Sequence, residues 1–250
     1  MKLLILSDIH ANSWALEAIL HRERDCDIIL CAGDLVDYGT DPASILKWAM
    51  SGNNKIIVQG NHDARAVNVW RTQDYNHMPP DQYKWVHYNC QRLNGEQIQY
   101  LAQLPGTAFF NADGWTYMLQ HAYHEYDIIE SREAFNRHWN QHAPQSLKDA
   151  PRRRMIFGHT HRQCVHILED GMEWLNPGSI SYRRPDDHDK EAHYMVIEDG
   201  NIRFGHLPYD RSPLLEEALR LNRSHKMMET ELQVFMFFFG NAQTKRDPLP

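Results

Sequence analysis

Short apolar runs recur along the first part of this chain, and each stops abruptly at residues able to bind a cation or move a proton. Lys2 to Leu6 has the length of one buried strand and runs into Asp8-Ile9-His10. Asp27 to Cys31 is a second such run and ends in Gly33-Asp34-Leu35-Val36-Asp37; a third, Lys55 to Gln59, delivers Gly60-Asn61-His62-Asp63. Between them, Trp14, Leu16, Ile19 and Leu20 fall at helical spacing, and Ala43 to Met50 forms another helix, capped by Asp41 with Pro42 in its first turn. Strand, helix and strand in this rhythm predict a mainly parallel inner strand order with helices outside.

The pattern then changes. From about Ala64 to Leu104 it is helical and polar, with Pro79-Pro80-Asp81 starting one helix and Pro105-Gly106 closing another, which reads as a lid or rim. Thr107 to Asn111 and Trp115 to Gln120 flank Asp113-Gly114, a hairpin signal, and the second strand reaches His121. Arg154 to Phe157 leads into Gly158-His159-Thr160-His161. Two more hairpins turn at Asp170-Gly171 and Asp199-Gly200. A βαβ first half and a hairpin-rich second half predict two sheets packed face to face with helices on both outer sides. After about Pro208, Ser212-Pro213 starts a short helix, and Met228, Leu232, Phe235 and Phe239 form one apolar stripe suited to core packing or to a contact between copies of the chain.

Composition narrows the function classes. At 250 residues, with 42% hydrophobic and 24% charged positions, one large domain with a well-buried core is expected. A net charge of −7 argues against a broad phosphate-backbone footprint, so no stable nucleic-acid partner is expected. Cys26, Cys31, Cys90 and Cys164 form no C-x-x-C pair, which points to reduced thiols and a cytoplasmic protein. Leu3 to Leu6 is too short for a leader, and no run has membrane-spanning length.

Among the sixteen histidines, those placed at strand ends stand apart. Asp8 and His10 project the same way along an extended segment, about 6–7 Å apart, and can meet one ion. In open α/β sheets, sites gather at the carboxyl ends of strands, so the clusters should converge. Asp8, His10, Asp34, Asn61, His121, His159 and His161 offer only oxygen and nitrogen, a donor set suited to two divalent ions such as Mn, Fe, Zn, Co or Ni. Two ions need a shared carboxylate, and Asp34 is the natural bridge. With Asp8, Asp34 and a bridging hydroxide the core retains a charge of about +1, attractive to a phosphate ester. Taken alone, Gly60-Asn61-His62-Asp63 is also a turn in which Gly60 supplies a positive φ and Asn61 an Asx cap. His21, His77, His87, His138, His142, His166, His188, His193, His206 and His225 lack supporting spacing and read as core or surface residues. Phosphate-loop, dinucleotide, H-E-x-x-H and G-x-S-x-G signatures are absent.

The ordered series SDIHAN, GDLVDYGTDP, GNHD, LQH, GHTH and NPGS, over about residues 1–205, resembles the calcineurin-like metallophosphoesterase family, in particular its small bacterial and archaeal phosphodiesterases. The resemblance implies an α/β fold, a four-layer α/β/β/α sandwich of two mixed sheets, over residues 1–207, with 208–250 as a helical extension packed on the same domain. It implies one ion on Asp8, His10, Asp34 and His161, the other on Asp34, Asn61, His121 and His159. His62 matches the catalytic histidine that acts on the leaving oxygen, and Asp37 the carboxylate that orients it. The implied activity is hydrolysis of small phosphodiesters or nucleotides by in-line attack of a metal-bridging hydroxide; the alternatives are a catalytically silent protein-binding scaffold and a phosphomonoesterase or protein phosphatase. Asn12, Arg65 and Arg183 are the candidate substrate contacts, and the C-terminal helix is a candidate homo-oligomer contact. Three positions depart from the pattern. Ala11 stands where many members have Gly, and Tyr38 where protein Ser/Thr phosphatases have Arg. Ala122-Tyr123-His124 replaces the Gly-Ser/Thr-Pro that follows the histidine in many relatives.

Overall fold

The computed structural model describes residues 1–124, 128–181, 190–223 and 229–240. Strand β1 (Lys2–Leu6), helix α1 (Ser13–Arg22), β2 (Ile28–Cys31), α2 (Pro42–Met50) and β3 (Lys55–Ile57) follow the expected order. Asp41 caps α2 by accepting the Ser44 N–H at 3.3 Å, with Pro42 at the first helical position. β3 is shorter than its apolar run. Val58 N–H still reaches Cys31 O, but Gln59 N–H turns to Pro105 O at 2.9 Å, which takes the chain out of the sheet.

Residues 61–103 form α3 (Asn61–Thr72), the six-residue α4 (Trp85–Cys90) and α5 (Gly95–Gln103). They are not a lid. Ala66, Val67, Val86, Cys90, Ile98 and Leu101 share one core with α1, α2 and the outer face of β1, β2 and β3, because this face of the sheet would otherwise be wet. Pro79-Pro80-Asp81 forms a turn, with Gln82 N–H bonded to Pro79 O, and helix resumes only at Trp85, where an aromatic side chain can be buried.

The second sheet begins with β4 (Thr107–Ala112) and β5 (Trp115–Gln120), antiparallel across Asp113-Gly114, whose positive φ values of 49° and 76° match the twist of the hairpin. Helix α6 (Arg132–His142) precedes β6 (Arg153–Ile156), β7 (Gln163–Glu169) and β8 (Met172–Pro177). β9 (Ala192–Glu198) and β10 (Asn201–Leu207) turn at Asp199-Gly200 and return to the first sheet, where β9 lies antiparallel to β1. The sheets run β10-β9-β1-β2-β3 and β4-β5-β6-β8-β7. Leu3, Ile5, Leu30 and Met195 face Tyr117, Leu119, Ile156 and Leu175 between them, and Phe135 and Trp139 of α6 cover Met118 and Met155 on the far side. The result is the four-layer α/β/β/α sandwich of two mixed sheets. No helix among the described residues is long and apolar enough to cross a membrane.

Helices α7 (Ser212–Arg223) and α8 (Glu229–Phe239) pack Leu214, Leu221, Phe235 and Phe239 against Trp85 and Tyr88 of α4. Of the apolar stripe, Phe235 and Phe239 are buried and Leu232 is partly buried; Met228 lies outside the described residues. Phe235 is 1% exposed, with its ring 4.6 Å from that of Trp85. Phe235→Ala is therefore expected to cost about 3–5 kcal/mol by urea unfolding, whereas a cost under about 1 kcal/mol would show that α8 is not part of the core.

Candidate metal centre

Register brings the ligand-type residues together. Leu6 pairs with Cys31 and Cys31 with Ile57, so the loops after β1, β2 and β3 leave the sheet at one edge; Leu119 pairs with Ile156 and Ile156 with Leu175, which does the same for the second sheet. The loops are then stitched across. Asp8 N–H bonds to Gly33 O at 3.0 Å, His10 N–H to Asp34 O at 2.9 Å, and Gly158 N–H to His121 O at 2.9 Å.

Asp8, Asp34, Asp37 and Asp63 are all at most 1% exposed. Four buried carboxylates in one place demand compensation, since an isolated buried charge is very costly. Part of it is local. Asp34 Oδ1 accepts the His62 N–H at 2.8 Å, and Asp8 Oδ2 the His159 N–H at 3.1 Å. Asp8 Oδ1 and Asp34 Oδ2 are buried without a hydrogen bond of good geometry and instead face imidazole nitrogens, His161 Nε2 at 3.0 Å and His121 Nε2 at 3.2 Å. His10 Nε2 lies 4.0 Å from both Asp8 Oδ1 and Asp34 Oδ2. Asn61 Oδ1 is 2.8 Å from His121 Nε2 and 3.0 Å from His159 Nδ1. Asp8, His10 and His161 form one set of converging donor atoms, and Asp8, Asp34 and His121 another, each within 4.8 Å.

Two of these imidazoles are oriented from behind, as metal-ligating histidines usually are. His10 Nδ1 lies 3.3 Å from Val36 O, and His121 Nδ1 2.7 Å from Ala32 O. Each carbonyl accepts a hydrogen bond from Nδ1–H, which leaves Nε2 aimed at the carboxylates. Burial pushes the His10 pKa down to about 4, which keeps it a neutral donor. For His121 burial acts the same way, but the adjacent Asp34 prevails and raises it to about 10. Asp8 is held down to about 2 because His161 and His121 outweigh its burial. Two buried carboxylate oxygens without hydrogen bonds, imidazole nitrogens turned toward them and a donor set that holds no thiolate fit a divalent cation of intermediate softness.

The backbone here is strained. Asp8, His10, Asp34, His159 and His161 all have φ between 47° and 61°, a left-handed conformation rare for non-glycine residues. Ala11, at φ 51°, occupies a position where glycine is the easier residue. Gly60 is required for a different reason than the turn expected there: its φ is −92°, but a Cβ would sit 2.1 Å from Asp34 Oδ1. Asn61 is not an Asx cap either; it opens α3, whose N-terminus points at the carboxylates.

His62 Nδ1 lies 2.9 Å from Asp37 Oδ2, and Arg65 Nη1 approaches the same oxygen at 3.4 Å. Burial lowers the His62 pKa, but the Asp37 hydrogen bond and the Asp34 charge more than offset it, so the pKa is raised. Asn12, expected at the substrate, is fully buried; its Oδ1 caps α1 at the Ala15 N–H (3.2 Å) and its Nδ2 donates to Tyr209 Oη (2.9 Å). Arg183 lies outside the described residues, as do His188 and His225. Six of the remaining unsupported histidines have structural neighbours: His138 Nε2 is 2.6 Å from Gln120 Oε1, His166 stacks on Trp174, His193 stacks on His206, His87 Nδ1 accepts the Lys84 N–H at 2.9 Å, and His142 Nδ1 lies 2.9 Å from His138 O.

Three braces escaped notice in the sequence. The Asp63 carboxylate accepts N–H bonds from Asp34, Leu35, Val36 and Gly60 at 2.8–3.2 Å, locking the β2 loop to the start of α3. Burial and Asp34 push its pKa up to about 7 against those four donors. Asn176 Nδ2 donates to Gly158 O at 2.7 Å and Thr160 Oγ1 at 3.1 Å, and so holds the histidine loop. Asn89 accepts the Asp37 N–H at 3.1 Å. Asp63 left a local signal as an acid at the third position of a helix, and Asn176 as the first residue of the NPGS motif; Asn89 left none.

A family profile for the calcineurin-like phosphoesterase superfamily domain matches residues 1–200. An uncharacterised protein of Methanocaldococcus jannaschii is 25% identical over 236 residues, which is 86% of this chain and 91% of that one. The structure is similar to that of a metallophosphoesterase from Sphaerobacter thermophilus, with 23% identity, a TM-score of 0.71 and coverage of 96% of this chain and 99% of the other. It is also similar to a hypothetical protein from Pyrococcus horikoshii OT3, with 15% identity, a TM-score of 0.71 and coverage of 96% and 98%. Both structural likenesses concern the fold.

Removing the Asp63 acceptor strands four backbone N–H groups in a buried site, at about 1–3 kcal/mol each. Asp63→Ala is expected to lose at least about 3 kcal/mol by urea unfolding and Asp63→Asn, which keeps an acceptor oxygen, less. An alanine variant as stable as the parent would refute the brace.

Proposed function

The chain belongs to the calcineurin-like phosphoesterase superfamily, and from that membership we propose that it is a dinuclear metal-dependent phosphoesterase acting on small phosphodiesters or nucleotides. The observation that carries the proposal is the pair His10 and His121, each anchored through Nδ1 to a carbonyl and each aimed at the buried Asp34 carboxylate. Asp8, His10, Asp34 and His161 would hold one ion; Asp34, Asn61, His121 and His159 the other. Mn, Fe, Zn, Co and Ni all suit these donors. When bound, the ions would supply charge against the phosphoryl oxygens and a water acidic enough to attack near neutral pH.

The protein's own contribution to the chemistry is a proton. Asp37 Oδ2 accepts the His62 Nδ1–H, so Nε2 is the atom that donates to the leaving oxygen. The raised pKa of His62 keeps that proton available near neutrality. Because the acid form is the active one, turnover should fall as pH rises through this pKa.

We expect metal analysis after manganese loading to find two ions per chain. His62→Ala should lower turnover about 10²–10⁴-fold and abolish the alkaline fall in the pH–rate profile, with metal content unchanged. A stoichiometry that never exceeds one, or a variant that sheds its metal, would show the roles to be misassigned.

Diesters should be preferred to monoesters. A monoester dianion gains most from a bidentate guanidinium, and a diester monoanion needs less charge. Here Tyr38 occupies the loop, its ring 4.9 Å from that of His62, while Arg65 leans on Asp37. The check is kcat/KM for bis-p-nitrophenyl phosphate against p-nitrophenyl phosphate at one pH and metal; a monoester preference of about tenfold or more, lost in Arg65→Ala, would reverse the assignment.

A further inference from the structure

We propose that Asn89 is a positioning residue for the Asp37–His62 pair, and that the C-terminal helices α7 and α8 set it in place through α4. The proposal rests on His62 being the group that protonates the leaving oxygen.

Asp37 (φ 76°) and Tyr38 (φ 60°) are consecutive non-glycine residues in the left-handed region, so the turn that carries the Asp37 carboxylate must be held from outside. Asn89, with no exposed surface, spans that turn. Its Oδ1 accepts the Asp37 N–H at 3.1 Å, and its Nδ2 donates to Gly39 O at 2.9 Å. Within the turn, Asp37 Oδ1 takes the Tyr38 N–H at 2.8 Å, which leaves Oδ2 for His62. Movement of the turn from the Asp37 Cα onward would swing Oδ2 away from His62 and leave in place the Val36 carbonyl that faces His10 Nδ1 at 3.3 Å.

Helix α4 has only six residues, too few to persist alone. It is pinned by the C-terminal pair. In α8, Glu231 O accepts the Trp85 indole N–H at 3.2 Å, and Phe235 lies against the Trp85 ring. In α7, Glu217 Oε1 lies 2.8 Å from the Tyr88 hydroxyl and 3.2 Å from Arg92 Nη2, while the same hydroxyl is 3.2 Å from Thr40 O, at the far end of the Asp37 turn. Both helices lie beyond residues 1–200, so the part of the chain outside the family match supports the proton donor.

Proton donation matters most when the leaving group is poor, which separates positioning from general structural support. The test uses full-length, manganese-loaded protein and two diesters of similar shape, diphenyl phosphate and bis-p-nitrophenyl phosphate. Asn89→Ala should lower kcat about tenfold or more on the phenyl ester and less than about threefold on the nitrophenyl ester, with KM and manganese content unchanged. Trp85→Phe and Glu217→Ala, distant from the centre, should act in the same direction more weakly and keep the test open if Asn89→Ala does not fold. In each variant, amide exchange at residues 37–40 should accelerate while that of α3 does not. Equal losses on both esters, loss of manganese or unchanged exchange at residues 37–40 would overturn the proposal. A parent protein that cleaves neither ester, with exchange responding as described, would instead refute the phosphoesterase function and leave the clamp standing.

Discussion

Four carboxylates withdrawn from water within one cluster of loops are the constraint on which the rest depends. Asp8, Asp34, Asp37 and Asp63 are each essentially inaccessible, and among the described residues the basic groups that face them are imidazoles together with Arg65, which is 40% exposed. Left uncompensated, such a cluster would neutralise itself or open. The fold answers in three ways. Backbone N–H groups satisfy Asp63, histidines face Asp8 and Asp34, and His62 and Arg65 meet Asp37. The two oxygens still lacking a hydrogen bond, Asp8 Oδ1 and Asp34 Oδ2, point to where further positive charge belongs.

Holding that cluster requires loops that the chain would not adopt by itself. Five ligand-type residues are left-handed, and each such position costs on the order of 1–3 kcal/mol. The strain is sustained because the loops spring from two rigid sheets packed face to face and are cross-bonded at the backbone. Substitution of the braces should therefore act on chemistry and stability together, whereas substitutions in α6 on the opposite outer face should act on stability alone.

Asp37 shows how function was distributed beyond the motifs. Its partner His62 lies 25 positions away, its clamp Asn89 on a six-residue helix, and the support for that helix in α7 and α8. No short motif can encode such a chain of contacts, because every link is a tertiary contact.

The sequence by itself determined the alternation of strands and helices, the three Asp-Gly turns and the ligand-type residues at strand ends. These follow from local rules: burial on both faces of a strand, caps, and backbone angles that Asp and Gly tolerate. It was misleading at Pro79-Pro80-Asp81, at the end of β3 and over residues 64–104, where packing against the first sheet overrode polarity. Only the tertiary structure decided that Gly60 is needed for room beside Asp34, that Asn12 serves as a helix cap, and that Asp63, Asn89 and Asn176 are braces. The physical reason is common to all of them. A polar side chain buried among loops is defined by the backbone groups it satisfies, and those groups come from segments brought together only when both sheets have formed.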